Sequence, residues 1–403
     1  MDTPRTKCAL YTWGANSFGQ LGQGHAEDQA EPQRVDGAQE QTRLRAITGG
    51  GGHSALITET GELLVCGQNH KGQLGLGHIS DVTTFRLCPL PGSQTVQQVS
   101  CGWDFTILLT DDGHVLACGS NAFGQLGVSP EIKYTAEPLL IKSLSEPVIS
   151  VATGLRHALA VTGSGGVYQW GTGLSAQAKR ALNPQPVPVH LTCKEPHLVP
   201  GLNQVTCQKV AAGSAHSVCL TVAGDVFLWG SNKYGQLCSK ESFLPLPTAL
   251  DRSLLNGERV CAIHSGWTHL IAQTETERVF TWGRASYGQL GRRGPTNDVT
   301  SPESDASMTD SSSEISLPSE VRALNGATQQ IACGSEHNLA VVGNQVFSWG
   351  WNEHGMCGDG SFCNIIQPQL VPVLRDVRPL LIGCGAGHSM ALCCLKSSGE
   401  FGC

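Results

Sequence analysis

Apolar and polar residues alternate through Leu44-Arg45-Ala46-Ile47-Thr48, the pattern of a half-buried strand, and four glycines at 49–52 then force a tight turn. His53-Ser54-Ala55-Leu56-Ile57-Thr58 reads as a second strand. Thr60-Gly61 turns the chain into a third, Glu62-Leu63-Leu64-Val65-Cys66. The stretch Gly67-Gln68-Asn69-His70-Lys71-Gly72-Gln73-Leu74-Gly75 turns it again, and Thr83-Thr84-Phe85-Arg86-Leu87-Cys88 returns as an outer strand. This predicts one four-stranded antiparallel sheet.

The unit recurs seven times. Its third strand ends at Trp13-Gly14, Cys66-Gly67, Cys118-Gly119, Trp170-Gly171, Trp229-Gly230, Trp282-Gly283 and Trp349-Gly350, in steps of 52 to 67 residues. A Gly-x-x-His turn between the first two strands ends at His53, His157, His216, His269, His337 and His388, with Asp104 in the seventh place. A period of this length marks a propeller or an array of small sheets, none of which can bury its faces alone. The chain starts mid-unit, at Ala9-Leu10-Tyr11-Thr12-Trp13, and ends with the missing half, Leu380-Leu381-Ile382-Gly383-Cys384 and Ser389-Met390-Ala391-Leu392-Cys393. Pairing residues 9–36 with 380–395 closes a ring and hides both open edges. The expectation is an all-β, seven-bladed β-propeller of four-stranded antiparallel blades, spanning residues 9–395, with tails at 1–8 and 396–403.

Two stretches break the rhythm. Residues 292–320 form an acidic, serine-rich insertion with six acids and no base from 294 onward, expected to stay disordered because it has little to bury. The fourth unit reads Trp170-Gly171-Thr172-Gly173-Leu174 and loses the Gly-Gln-Leu-Gly run. It is followed by a proline-rich excursion, Ala176 to Gly201, containing Lys179-Arg180.

Composition removes several function classes. Net charge is −7 and no lysine- or arginine-rich run occurs, so nucleic-acid binding lacks its electrostatic footprint. No apolar stretch reaches 18 residues, and the first dozen residues lack the apolar core of a signal peptide. The 17 cysteines are odd in number, include no Cys-x-x-Cys, and partly follow the repeat: Cys101, Cys333 and Cys384 each precede a turn glycine, and Cys66 and Cys118 replace Trp. They read as small buried thiols in a reducing compartment rather than as disulfides or a zinc site. No Gly-x-Ser-x-Gly elbow, phosphate-binding loop or metal spacing is present, so no catalytic residue, cofactor or metal is assigned.

The six turn histidines recur at one place in each unit, which points to a shared structural task such as hydrogen bonding within the turn. More telling are the turn positions where one unit departs from the others. Trp103 and Trp267 occupy slots held elsewhere by Gly, Ser, Ala or Leu, and Asp104, Arg156 and Glu336 add charges on the same rim. These five are the candidate partner-binding residues, with Trp351, His354 and Asp359 as a further non-repeating cluster. A tryptophan in such a turn either packs on the neighbouring blade or anchors a partner.

The Gly-x-x-His turn followed by Trp-Gly-x-Asn-x-x-Gly-Gln-Leu-Gly resembles the regulator of chromosome condensation repeat, and the resemblance covers nearly the whole chain. Finer matches, such as Cys101-Gly102-Trp103-Asp104-Phe105-Thr106 and Trp349-Gly350-Trp351-Asn352-Glu353-His354, resemble a secretion-linked exchange-factor branch of that family. The resemblance implies a seven-bladed propeller and a guanine nucleotide exchange factor for a small GTPase. It further implies a monomer in contact with the exocyst or another secretion complex, in the cytoplasm and also the nucleus. The founding member acts on the small GTPase Ran through one propeller face and a protruding wedge, for which the Ala176–Gly201 excursion is the candidate here. It also carries an acid directly after one turn glycine. In this chain those slots hold Gly51, Trp103, Leu155, Ser214, Trp267, Ser335 and Ala386. Other members are non-catalytic interaction modules, so the alternative is a protein-interaction scaffold in vesicle trafficking.

Overall fold

The computed structural model describes residues 7–36, 43–293, 317–324, 326 and 328–395. It contains seven four-stranded antiparallel sheets whose first strands neighbour one another around a ring. Blade 1 comprises Leu44–Gly49, His53–Thr58, Leu63–Gly67 and Val82–Leu87. Blades 2 to 6 follow over residues 96–140, 148–198, 207–249, 260–320 and 328–370. Blade 7 is composite: Gln29–Arg34 pairs with Cys8–Gly14, which pairs with His388–Cys394, which pairs with Arg378–Cys384. Ala9 lies opposite Cys393 and Trp13 opposite Ser389, so the two chain ends close the seven-bladed propeller that the repeat predicts.

Second strands sit mid-sheet with a blade packed on either side, so His53–Thr58, Phe105–Thr110 and His216–Thr221 are buried along their whole length. This accounts for their near-continuous apolar sequence. The glycine after each Trp or Cys is required by backbone geometry: Gly67 has φ +105°, and a Cβ there would lie 2.4 Å from the Gly52 carbonyl.

The repeat residues bond each blade to the one before it. Trp170, Trp282 and Trp349 donate their indole N–H to the main-chain carbonyls of Gln125, Gln236 and Gln289, at 2.9, 2.9 and 3.1 Å. Each of these glutamines belongs to the loop of the preceding blade. Trp13 donates in the same way to Met356. Cys66 and Cys118, which replace Trp, direct their thiols at the carbonyls of Gln20 and Gln73. The degenerate unit is compensated. Blade 3 lacks the Gly-Gln-Leu-Gly loop, and the Gln169 side chain supplies the missing acceptor, taking the Trp229 N–H at 2.7 Å and the Ser217 hydroxyl at 3.1 Å.

Three expectations need correction. The outer strand of blade 5 is Ser319–Glu320, paired with Phe280 and Thr281, so the end of the proposed insertion 292–320 belongs to the blade. Arg292 donates to the carbonyls of Thr281 and Leu317, fixing both edges of the excursion, and residues 294–316 lie outside the described residues. The Ala176–Gly201 excursion is not a free projection. Its helix, Ser175–Leu182, and the segment behind it bury Ala178, Leu191 and Val199 in the core between blades 3 and 4. Finally, not all cysteines are thiols: Cys207 and Cys219 form a disulfide, brought together by adjacent strands at a register shift in blade 4.

Candidate partner-binding face

In an antiparallel blade the turn between strands one and two and the loop between strands three and four emerge at the same end. The Gly-x-x-His turns, the Gly-Gln-Leu-Gly loops and the helix Ser175–Leu182 therefore share one face of the ring.

The turn histidines are buried beneath that face and stitch the ring together. Their Nε2 atoms meet Thr106 (from His53), Ser217 (His157), Ser265 (His216), Asn338 Oδ1 (His269), Ser389 (His337) and Ser54 (His388), at 2.6 to 3.1 Å. The tautomer follows from the partners. Each hydroxyl commits its single proton elsewhere, as Thr106 does to Gln73 O and Ser389 to Met356 O, and Asn338 Oδ1 is an acceptor. Each imidazole must then donate from Nε2, which leaves an unprotonated Nδ1 in the interior. Burial disfavours the cation, holding His53 and His157 down to about 4 and His216, His337 and His388 to about 3. These imidazoles are buried, and their bonds run to the neighbouring blade rather than within the turn.

The seventh place is Phe105, not Asp104. Phe105 pairs with Gly119 as His53 pairs with Gly67, and it packs in the same core cluster as Ala158 of blade 3, in the slot where blades 1, 2, 4 and 7 present Ser54, Thr106, Ser217 and Ser389. One histidine–hydroxyl pair is thus replaced by a matched apolar pair.

Trp103 of blade 2 and Trp267 of blade 5 are three blades apart, yet their ring centroids lie 5.7 Å from each other. Both turn inward and meet over the axis, above a channel of about 290 Å³ lined by the first strands of the blades. Trp103 also lies against Gly51 of blade 1, whose Cβ would sit 2.8 Å from the ring, and it remains 40% exposed. It is both packed on its neighbour and open to a partner. Arg156 is exposed on blade 3 with its guanidinium 4.5 Å from the Phe123 ring centroid. Asp104 is partly exposed, 3.5 Å from Gln125 Nε2.

Glu336 does not belong on the rim. It is buried between blades 5 and 6, accepting from the Thr268 hydroxyl and from Gln289 Nε2 at 2.7 Å, with Arg284 Nη1 4.0 Å away. A carboxylate this enclosed needs those donors, and its burial withholds it from a partner. Four of the five predicted residues therefore share the face, and only the two tryptophans touch.

Tyr234, Arg284 and Tyr287, which the repeat did not single out, also lie on this face. The signal for the two tyrosines was the loop slot before Gly-Gln-Leu, which holds Phe18, Phe123, Tyr234 and Tyr287; Arg284 directly follows the Trp282-Gly283 pair.

The family model of the RCC1-like domain matches residues 9–391. The secretion-regulating guanine nucleotide exchange factor of Mus musculus is 51% identical over 400 residues, covering 98% of this chain and 86% of its own length. The Bos taurus protein of the same name is 52% identical over 393 residues, covering 97% and 84%. Among solved structures, Prp20p from Saccharomyces cerevisiae superposes with a TM-score of 0.82 at 22% identity, covering 99% of this chain and 94% of that one.

Proposed function

The chain belongs to the RCC1-like domain family, and we propose that it is a guanine nucleotide exchange factor for a small GTPase, acting in secretion through the face that carries the turns. The observation that carries this reading is the identity of 51% and 52%, over nearly the full chain, with two proteins named secretion-regulating guanine nucleotide exchange factor. Exchange requires no nucleophile or general base, since it works by displacing the contacts that hold Mg²⁺ and the phosphates, so a face without a catalytic constellation is compatible with it.

The slots after the turn glycines carry no acid, and Glu336 is enclosed. In this chain the work falls to exposed aromatic and cationic groups, Trp103 at the axis and Arg156 on the same face, in place of a carboxylate. Residues of these two types dominate interface energetics when a partner buries them, at about 2 kcal/mol or more each. Release of labelled GDP from a panel of small GTPases tests the reading. Trp103→Ala and Arg156→Ala are expected to slow the accelerated release about tenfold or more, with a cooperative unfolding transition retained as the check on the fold. Release that no panel member shows, together with stable capture of a secretion complex, would favour the scaffold instead.

A further inference from the structure

A line of side chains from four consecutive blades runs along the turn face. Lys233 Nζ lies 5.2 Å from the Tyr234 ring centroid, and the Arg284 guanidinium lies 4.6 Å from the centroids of both Tyr234 and Tyr287. Tyr287 meets Trp351 at 6.3 Å between centroids, and Trp351 meets His354 edge-on at 5.7 Å. His354 Nδ1 ends the line 3.0 Å from Asp28 Oδ2. At its blade 4 end the line opens into a groove of about 1090 Å³, between the loops of blades 4 and 5 and the helix Ser175–Leu182. Arg180, Lys233, Lys240 and Arg284 line that groove beside one acid, Glu241, and the enclosed Glu336 lies behind Arg284, 4.0 Å from Nη1. In a chain of net charge −7 this is a local inversion of sign.

We propose that the arc and its groove are a docking site for an extended acidic segment of a partner protein. Arg284 is fixed before any partner arrives, since Nε donates to Ser286 Oγ at 2.7 Å and Nη2 to Tyr287 Oη at 3.3 Å. Such preorganisation lowers the entropy lost on binding a carboxylate. The exposed Arg180, Lys233 and Lys240 add attraction at the groove end, whereas Asp28 closes the other end with the opposite charge. An acidic segment therefore lies with its charge toward blade 4. The arc also has the Trp, Tyr and Arg composition of interface hot spots.

The same chemistry argues against a single-stranded nucleic acid, which needs open aromatic faces for base stacking. Here Tyr234 already carries Lys233 and Arg284, and Tyr287 carries Arg284. The site is separate from the axial Trp103–Trp267 pair and does not rest on the exchange reading.

Anisotropy of a fluorescein-labelled peptide of repeated Glu-Glu-Leu, titrated with the full chain, tests the proposal against a Gln-Gln-Leu counterpart. The acidic peptide should bind, more weakly as salt rises. The glutamine counterpart should bind about tenfold more weakly or worse, and so should the acidic peptide with the Arg180→Glu/Lys240→Glu double variant. Both substitutions are at exposed positions, and an unchanged melting temperature checks the fold. Tyr287→Ala should weaken the acidic peptide as well. Equal binding of the two peptides, or indifference to the charge reversal, would overturn the proposal, as would displacement of the peptide by oligothymidylate. Replacing residues 294–316 with a short Gly-Ser linker should leave the affinity unchanged. If the peptide binds only after that replacement, the groove serves the chain's own acidic stretch and the partner proposal fails.

Discussion

Gln169→Met isolates the device that closes the ring where the repeat fails. Elsewhere a main-chain carbonyl accepts the indole or thiol of the next blade, and no side-chain change can remove it. At the seam of blades 3 and 4 the acceptor is Gln169 Oε1, which is buried and takes two buried donors, Trp229 Nε1 and Ser217 Oγ. Methionine keeps the volume and deletes the oxygen. The Ser217 proton cannot turn to His157 unless that imidazole moves its own proton to Nδ1, which has no partner. Two orphaned buried donors at about 1–3 kcal/mol each, offset in part because the unpartnered buried Gln169 Nε2 is removed as well, give an expected net loss of about 1–3 kcal/mol. The control is Gln73→Met. There the acceptor for Cys118 and Thr106 is the main-chain oxygen, which survives, and the loss is one bond from the Lys71 N–H, about 1 kcal/mol. Urea unfolding followed by tryptophan fluorescence measures both. The reasoning fails if Gln169→Met stays within about 1 kcal/mol of the parent, or if Gln73→Met costs as much.

Three further outcomes follow from the same geometry. Five of the six turn histidines, His53, His157, His216, His337 and His388, have folded-state values of about 3 to 4, below the ordinary 6.5, so the unfolded chain binds more protons as pH falls. Stability should be flat above about pH 7 and drop steeply from pH 6.5 toward 4, by up to about 1.4 kcal/mol per pH unit per histidine; a urea midpoint that holds down to pH 5 contradicts this. Phe105→His sets an imidazole N–H against Ala158 and should cost about 2 kcal/mol. Adding Ala158→Ser should recover about half, so purely additive losses in the double-mutant cycle would refute the matched-pair account. Deleting residues 1–30 removes Leu10 and Trp13 from blade 7 and bares the edge of His388–Cys394, an expected loss of about 3 kcal/mol or more. A truncated chain that melts with the full one would mean the ring does not close there.

The ring was legible because the third strand of every unit ends in a glycine at φ between 92° and 109°, where a side chain would meet the neighbouring backbone, so seven such positions print the period directly. The composite blade was legible because each chain end carries half a unit. Position within a unit was less secure. The Asp104 assignment slipped by one residue because a phenylalanine fills the histidine slot, and the matching Ala158 is visible only once blades 2 and 3 are set side by side. Glu336 read as a rim charge because its donors, Thr268 and Gln289, come from the neighbouring blade, 68 and 47 residues away in sequence. The meeting of Trp103 and Trp267 depends on ring geometry, which a linear pattern does not hold. Ser319–Glu320 is too short a strand to show alternation beside a serine-rich stretch.

The central claim is that this propeller accelerates nucleotide release from a small GTPase through its turn face. Stopped-flow release of fluorescent GDP, with purified small GTPases in turn and increasing amounts of the full chain, tests it most directly. The account predicts concentration-dependent acceleration for at least one GTPase, reduced about tenfold by Trp103→Ala or Arg156→Ala in variants that remain folded. Release at the intrinsic rate across the whole panel, or acceleration untouched by both substitutions, would contradict it.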